Sequence, residues 1–378
     1  MLKRLLAAIG ALVFLGLLAV VSELYRPYQA YSGEVLVDIE PGTGAPRVAE
    51  LLVEKGVLPH RLPFLLRYWV SRPSHTLKAG EYHFNRPLRP IDVYRKLVRG
   101  ETVLYAVVIP EGSDRFDMAR IFEETFGIRA EDFLHACAPP AAIHDLDPQA
   151  PSLEGYLFPD TYKFQHGVDS ETIVAAMLAR FRRILETRFP AELRRDPEEL
   201  HEVVTLASMV EKETSLPDER PLIASVFAKR LHRGWLLQCD PTVVYASRLE
   251  GRSVGRILQN DLEIDSPYNT YLHVGLPPGP IASPGEASIR AALDPDPGEF
   301  LYFVSNNKGG HVFSKTLAEH ERNVARYRRQ VAALRRVQQQ EAKVTARPGS
   351  ARRRGETDTT LSSRDGGKQS QQKATDPR

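Results

Sequence analysis

The sequence predicts an α+β fold behind one N-terminal spanning helix, and three observations predict it. An uncharged apolar run, Leu5 to Ser22, directly follows Lys3 and Arg4. Short segments that alternate apolar and polar residues are interleaved with longer stretches of helical period. Hydrophobic content of 42% with charged content of 26% is ordinary for a globular core, and 378 residues suggest two folded units plus tails.

The apolar run is about as long as a helix needs to cross a bilayer core. Two basic residues before it favour an N-in orientation and place the rest of the chain outside the cytoplasm. A cleaved signal peptide competes with this reading, but its apolar region is usually shorter, and Val20-Val21-Ser22 is a poor small-x-small site. A retained anchor over residues 1–22 is therefore expected. Either way the folded part works in the periplasm or outside the cell.

Residues 23–33 read as a juxtamembrane linker containing Pro27. Glu34 to Ile39 alternates as a half-buried strand does, and a helical face carries Val48, Leu51, Leu52 and Val57. A second helix begins near Leu62. Ala79 to Phe84 reads as another strand, and a short helix from Pro90 to Leu97 closes at Gly100. Residues 34–100 thus make one small α+β unit. The pattern restarts with a strand at Val103 to Ile109, then helices at Arg115–Phe126 and Ser170–Leu185. Two more helices, Glu199–Thr214 and Asp218–Arg233, are joined by Ser215-Leu216-Pro217, with Asp218 as the expected N-cap and Gly234 as the stop. A loop-rich stretch runs to about Pro297. Strands at residues 300–304 and from His311 flank a turn, and a charged helix from Leu317 to about Gln340 begins within the larger unit, 101–330, and runs past its end. Residues 341–378 lack aromatics and read as a disordered tail.

Several function classes are excluded. Fifty basic against 48 acidic residues leave a net charge of +2, a balance that offers no field for nucleic acid or for an anionic membrane surface, and the basic excess lies at the C-terminal end. No Gly-rich phosphate loop, HExxH or G-x-S-x-G occurs. Eleven histidines are scattered without metal spacing, so neither cofactor nor metal is expected. Cys137 and Cys239 match no ligand pattern and read as small buried hydrophobes rather than a disulfide.

The segment most suggestive of chemistry is Val203 to Thr214. Val203, Leu206, Ala207 and Val210 form one apolar face, and Glu211 and Glu213 follow at the helix's C-terminal end. The helix dipole and partial burial there both disfavour the charged carboxylate and raise its pKa, which suits a general acid. A pair of solvated helix-end charges is the competing reading, and periodicity does not choose between the two glutamates. Downstream, Gln238, Asp240 and Thr242 lie close together in sequence. Ser266-Pro-Tyr-Asn-Thr-Tyr and Gly275-Leu-Pro-Pro-Gly-Pro-Ile follow, too rich in turn formers and aromatics for a plain linker. Rigid loops of this composition suit the wall of a carbohydrate groove. Leu153 to Phe164, aromatic and broken by proline, suits sugar faces or an ordinary core equally. His311, after Gly309-Gly310, reads as structural on its own.

Together these segments resemble the YceG-like endolytic murein transglycosylases (the MltG family). Ala207-Ser-Met-Val-Glu-Lys-Glu-Thr, Leu237-Gln-Cys-Asp-Pro-Thr-Val-Val-Tyr, Tyr268-Asn-Thr-Tyr and Gly275-Leu-Pro-Pro-Gly-Pro-Ile carry the resemblance. Leu153-Glu-Gly-Tyr-Leu-Phe-Pro-Asp-Thr-Tyr and Gly309-Gly-His-Val-Phe fit the same order, over roughly Glu34 to Tyr327. The resemblance implies an inner-membrane anchor, a LysM-like subdomain in place of residues 34–100, and a catalytic domain. It implies cleavage of the MurNAc–GlcNAc bond within nascent glycan strands, leaving 1,6-anhydro ends and terminating strand growth. The family's catalytic glutamate precedes a small hydroxyl residue, which here selects Glu213 with Thr214. Gln238, Asp240, Thr242, Tyr268, Asn269, Glu154 and His311 become candidate substrate contacts. Peptidoglycan strands, the membrane and peptidoglycan synthases become candidate partners. Cys239 stands where another polar residue such as threonine is expected. A non-catalytic scaffold that binds peptidoglycan, and a hydrolytic muramidase, are the alternatives.

Overall fold

The computed structural model describes residues 2–71, 76–252 and 257–345, and within residues 337–345 only the backbone is described in part. The first helix, α1 (Leu2–Tyr25), is long and apolar enough to cross a membrane over Lys3–Tyr25, and none of that stretch is buried in the protein. Its flanks take the helix a turn or so beyond the uncharged run.

The first folded unit follows the expected order. Strand β1 (Val35–Ile39) leads to α2 (Ala45–Glu54) and α3 (Arg61–Ser71), then to β2 (Gly80–Phe84) and α4 (Pro90–Arg99). β1 and β2 pair antiparallel with Val37 opposite Tyr82. Period-2 alternation puts Val37, Ile39, Tyr82 and Phe84 inward, where they meet Val48, Leu52, Phe64, Val93 and Leu97 from the helices. Proline opens α4, and Gly100 closes it in the left-handed conformation that an L side chain resists.

The second hydrophobic cluster begins at Val107 and gathers the remaining elements. Strand β3 (Tyr105–Val108) pairs antiparallel with β4 (Thr161–Phe164), flanking α5 (Arg115–Phe126) and α6 (Ala130–Cys137). Asp114 caps α5 by accepting the N–H groups of Phe116 and Asp117. α7 (Ser170–Arg188) and the short α8 (Ala191–Arg195) lead to α9 (Pro197–Glu213), whose Asp196 cap accepts the Glu199 N–H. α10 (Arg220–His232) starts after a 3-10 turn at Pro217–Glu219, so Asp218 does not cap it: the turn inserts one residue between Asp218 and the first helical position, and Glu219 takes the N-cap place without a side-chain bond. Gly234 follows α10 with positive φ, as a stop should.

The stretch expected to be loop contains two helices, α11 (Asp240–Leu249) and α12 (Glu286–Leu293). α12 packs on α9 and α10. Both escape a periodicity reading because they are only 10 and 8 residues long, and proline and glycine surround them. Strands β5 (Tyr302–Ser305) and β6 (His311–Ser314) form the third two-stranded antiparallel sheet. α13 (Leu317–Thr345) runs past residue 341, so the first five residues of the expected tail are helical, and residues 346–378 lie outside the described residues. Compact packing divides at Val324: the chain up to that residue forms one unit, and the rest of α13, from Ala325, belongs to another. Cys137 and Cys239 are both buried and unpaired by disulfide.

The Pro/Gly segment 275–285 is irregular but tightly held. Ile281 N–H donates to Ser208 Oγ of α9 at 3.0 Å, and Ser283 exchanges two backbone bonds with Gly112 and Ser113, each 2.9 Å. Gly155 approaches Pro280 so closely that an added Cβ would sit 2.4 Å from the proline Cβ, and Gly155 has φ +85°. Gly155→Ala is therefore expected to destabilise the protein by about 2–4 kcal/mol, summing left-handed strain and overpacking. Thermal or urea unfolding checks this, and an unchanged midpoint would show that the loop yields freely.

Candidate active site

The site is built around the last turn of α9. Leu200, Val203, Val204, Leu206, Ala207, Met209 and Val210 are buried, which fixes the helix's rotation. Glu211 and Glu213 are two residues apart and so point roughly 200° apart around the axis. Their environments differ accordingly.

Glu211 is a brace. Its side chain is 5% exposed, pairs with Arg220 at 3.1 Å, and accepts the Gly285 N–H at 3.0 Å. Arg220 also reaches Glu111 at 3.7 Å. Lys212 donates to the Gly112 carbonyl at 2.9 Å. Both side chains tie α9 to flanking loops.

Glu213 sits among Cys239, Asp240, His311 and Arg230. As a residue it keeps partial exposure, yet its carboxyl end is closely surrounded. Burial pushes that carboxyl up to about 7. A hydrogen bond with the Cys239 thiol pulls it down, Asp240 pushes it further up, and the proximity of His311 and Arg230 pulls it down. Burial also raises the Cys239 thiol, with Glu213 adding to the effect, so a neutral thiol faces the carboxyl.

Each neighbour is held from behind. Cys239 N–H donates to Thr270 Oγ1 at 3.0 Å, and Thr242 Oγ1 donates to the Cys239 carbonyl at 2.7 Å while meeting Thr270 Oγ1 at 2.9 Å. Gln238 N–H donates to the Thr270 carbonyl at 3.1 Å. Asp240 accepts the Tyr271 hydroxyl at 2.5 Å. Arg230 is buried and donates to the carbonyls of Leu237 at 2.7 Å and Leu301 at 3.2 Å. His311 is gripped by Glu219, which accepts its backbone N–H at 2.8 Å and lies 2.7 Å from its Nδ1. Glu219 also accepts the Thr214 hydroxyl at 3.0 Å. Burial works against the Glu219 charge, but the bonds from His311 and Thr214 hold its carboxyl below the usual range.

Of the residues singled out from sequence, Gln238, Asp240 and His311 lie in the segments that meet Glu213, with Gln238 and Asp240 exposed. Thr242 and Asn269 are fully buried, and their polar atoms are committed within the protein. Asn269 donates to the Leu262 and Ile264 carbonyls, both at 2.9 Å, and accepts the Tyr271 N–H at 3.0 Å. These two shape the loops, and a sugar has no free atom of theirs to bind. Glu154 is buried elsewhere, accepting Arg115 N–H at 3.0 Å and the Tyr245 hydroxyl at 3.2 Å. The Tyr268 ring packs 5.1 Å from that of Tyr245. Burial first, and Asp114 second, push Glu154 up to about 8, so it rests there as a neutral acid. Its partners make it a support of the core beneath the 275–285 loop.

Arg230, Tyr271, Cys239 and Glu219 were not predicted as site residues. Tyr271 and Cys239 lie inside segments singled out for composition, whereas Arg230 and Glu219 sit on or beside a helix with no distinguishing period. Among the described residues no group of three His, Cys, Asp or Glu side chains is arranged to hold a metal ion.

Residues 37–326 match the family described as YceG-like. The chain belongs to that family. The YceG-like assignment is supported by relatives of known name. An endolytic murein transglycosylase of Bacillus subtilis is 34% identical over 310 residues, covering 78% of this chain and 84% of that protein. Another of that name, from Streptococcus pneumoniae, is 30% identical over 358 residues, covering 84% of this chain and 64% of its own length. The crystal structure of a YceG-like protein from Listeria monocytogenes superposes with a TM-score of 0.52 at 34% identity, covering 76% of this chain and 98% of the other.

A carboxyl with pKa of about 7 in the folded state against 4.5 ordinarily binds more protons folded than unfolded between those pH values. Stability contributed by its proton is therefore present below 4.5 and lost as pH rises through 7. Glu213→Gln removes that loss. The variant is expected to be more stable than the parent at pH 8, on the order of 1–3 kcal/mol, and equal to it near pH 4. Urea unfolding at the two pH values checks this, and no gain at pH 8 would contradict a raised Glu213.

Proposed function

We propose that this YceG-like protein is an endolytic murein transglycosylase that cuts the MurNAc–GlcNAc bond of nascent peptidoglycan strands, leaves 1,6-anhydro ends and so terminates strand growth. The observation that carries the reading is Glu213: a surrounded carboxyl with its pKa raised to about 7, at a helix end, facing loops of polar residues. The names of relatives at 30–34% identity support the substrate and the reaction. In the same reading α1 anchors the protein in the plasma membrane with the folded part outside. Residues 34–100 act as a LysM-like unit that holds glycan, residues 101–330 form the catalytic domain, and peptidoglycan synthases are partners.

Glycosidases usually employ two carboxylates, but one suffices when the second nucleophile belongs to the substrate. Protonated Glu213 donates to the glycosidic oxygen, which leaves as the hydroxyl of the departing sugar. The muramic-acid acetamido group steadies positive charge at C1. Ionised Glu213 then accepts the proton of the C6 hydroxyl as O6 bonds to C1. The acid is restored and no water is consumed. Segments 238–242 and 268–280 orient the sugar and keep water from C1, with Gln238, Asp240 and Tyr271 as the accessible polar groups. Cys239, Arg230 and His311 meet the carboxylate formed mid-reaction, and Glu219 positions His311.

Glu213→Gln is expected to lower release of anhydro-ended fragments from sacculi by about 10²–10⁴-fold. Mass spectrometry of the digest reads the outcome. Undiminished anhydro product would reject the assignment, reducing ends would indicate a hydrolytic muramidase, and binding without release by the parent protein would indicate a scaffold.

An acid near 7 also sets a pH profile. kcat/KM should fall as pH rises through about 7, where the acid loses its proton. Asp240 helps raise Glu213, so Asp240→Asn should move that alkaline limb to lower pH. A limb that stays in place or moves upward would separate Asp240 from the acid.

A further inference from the structure

A cavity of about 600 Å³ opens in the small N-terminal unit, lined by none of the residues around Glu213. Arg86, Arg95, Lys96 and Arg99 line it, against Asp92 and Glu101. Asp92 is occupied by Arg89 at 2.6 Å and Arg95 at 3.3 Å, and Glu101 by Arg99 at 3.3 Å. Arg86 and Lys96 pair with no carboxylate among the described residues; Lys96 rests 5.7 Å from the centre of the Phe84 ring. The cavity therefore presents two uncompensated cations, one of them the planar fork that suits phosphate oxygens.

Its place in the chain says which phosphate. Tyr28 and Leu88 form an antiparallel bridge, exchanging backbone bonds of 3.0 and 3.3 Å, and the Tyr31 hydroxyl donates to the Arg86 carbonyl at 2.9 Å. The cavity rim at Arg86–Leu88 is thus pinned to the linker that leaves α1. Tyr28 lies three positions after Tyr25, the end of α1, a span of at most about 11 Å. Arg89 lies within electrostatic reach of the Tyr25 phenol, and α1 touches α4, the helix that carries Arg95, Lys96 and Arg99. The opening therefore lies close along the chain to the point where α1 ends.

We propose that the basic cavity lined by Arg86 and Lys96, pinned to the foot of α1 by the Tyr28–Leu88 bridge, binds the phosphate headgroup of an anionic membrane lipid. The lipid source rests on the reading of α1 as an anchor; the preference for phosphate does not. Such a contact fixes the height and tilt of the small unit above the membrane.

The test uses the full chain in a neutral maltoside micelle, titrated separately with dihexanoyl phosphatidylglycerol, dihexanoyl phosphatidylcholine and inorganic phosphate by calorimetry. Phosphatidylglycerol is expected to bind at least about tenfold tighter than phosphatidylcholine. The double variant Arg86→Gln/Lys96→Gln should lose about 30-fold, the loss of two cations near an anionic surface. Arg326→Gln, a surface change on α13, should bind as the parent does. Inorganic phosphate binding as tightly as the lipid would overturn the lipid source. Equal binding of the two lipids, or a double variant that binds like the parent while folding normally, would overturn the site. An alkaline carbonate wash of membranes reads the anchor separately, since release of the chain there rejects the anchor and leaves the micelle titration standing.

Discussion

Where α9 ends, the buried carboxylate of Glu211 accepts the N–H of Gly285 and pairs with the guanidinium of Arg220, which in turn reaches Glu111. Removing one partner of a buried charge pair of this kind leaves the other uncompensated, at a typical cost of 3–5 kcal/mol. The brace clamps the Pro/Gly segment against the helix while the offset of two residues turns Glu213 toward the opposite side. Neighbouring glutamates thus divide the work. One is held in a salt bridge, and the other keeps its proton by being crowded.

The crowding is balanced. Desolvation and Asp240 favour the neutral acid, whereas the Cys239 thiol, His311 and Arg230 favour the ion. A group pushed only upward would release its proton with ease in no step, and one pulled only downward would have none to give. The two sets leave the carboxyl near neutrality, where donation and recovery are comparably accessible. Glu219 matters to this balance although it lies behind the site. It holds His311 through backbone and ring together and reaches back to Thr214, the residue that ends α9.

Much of the fold was legible because its elements have clear periods. β1, α2, β2, α4 and α5 follow from alternation, amphipathic stripes and caps. α11 and α12 were not legible, being short and bordered by proline, so their helical turns give too few repeats to register. For the site, the apolar face of α9 located the two glutamates, but a helical wheel places both at the stripe's flanks. The choice of Glu213 came from resemblance, and the tertiary partners of Glu211 now give a physical reason for the division. Thr242 and Asn269 were singled out as polar residues in loops. Sequence does not reveal whether such a side chain faces a ligand or its own backbone, and here both face inward. Arg230 and Glu219 owe their places to β5, β6 and the turn before α10, contacts that join residues up to 92 positions apart.

Gln238 shows what the clamp on the loop entails. It has φ +53°, a conformation that a side chain bearing a Cβ enters at a cost of roughly 1–2 kcal/mol and that glycine enters freely. Its N–H is nonetheless anchored to the Thr270 carbonyl, one position before the thiol that touches the acid. The backbone there is twisted to suit its neighbours, so the course of the chain into Cys239 is set by that one bond while the Gln238 side chain stays exposed. A glycine in its place would relax the chain and remove the exposed side chain that stands next to the thiol.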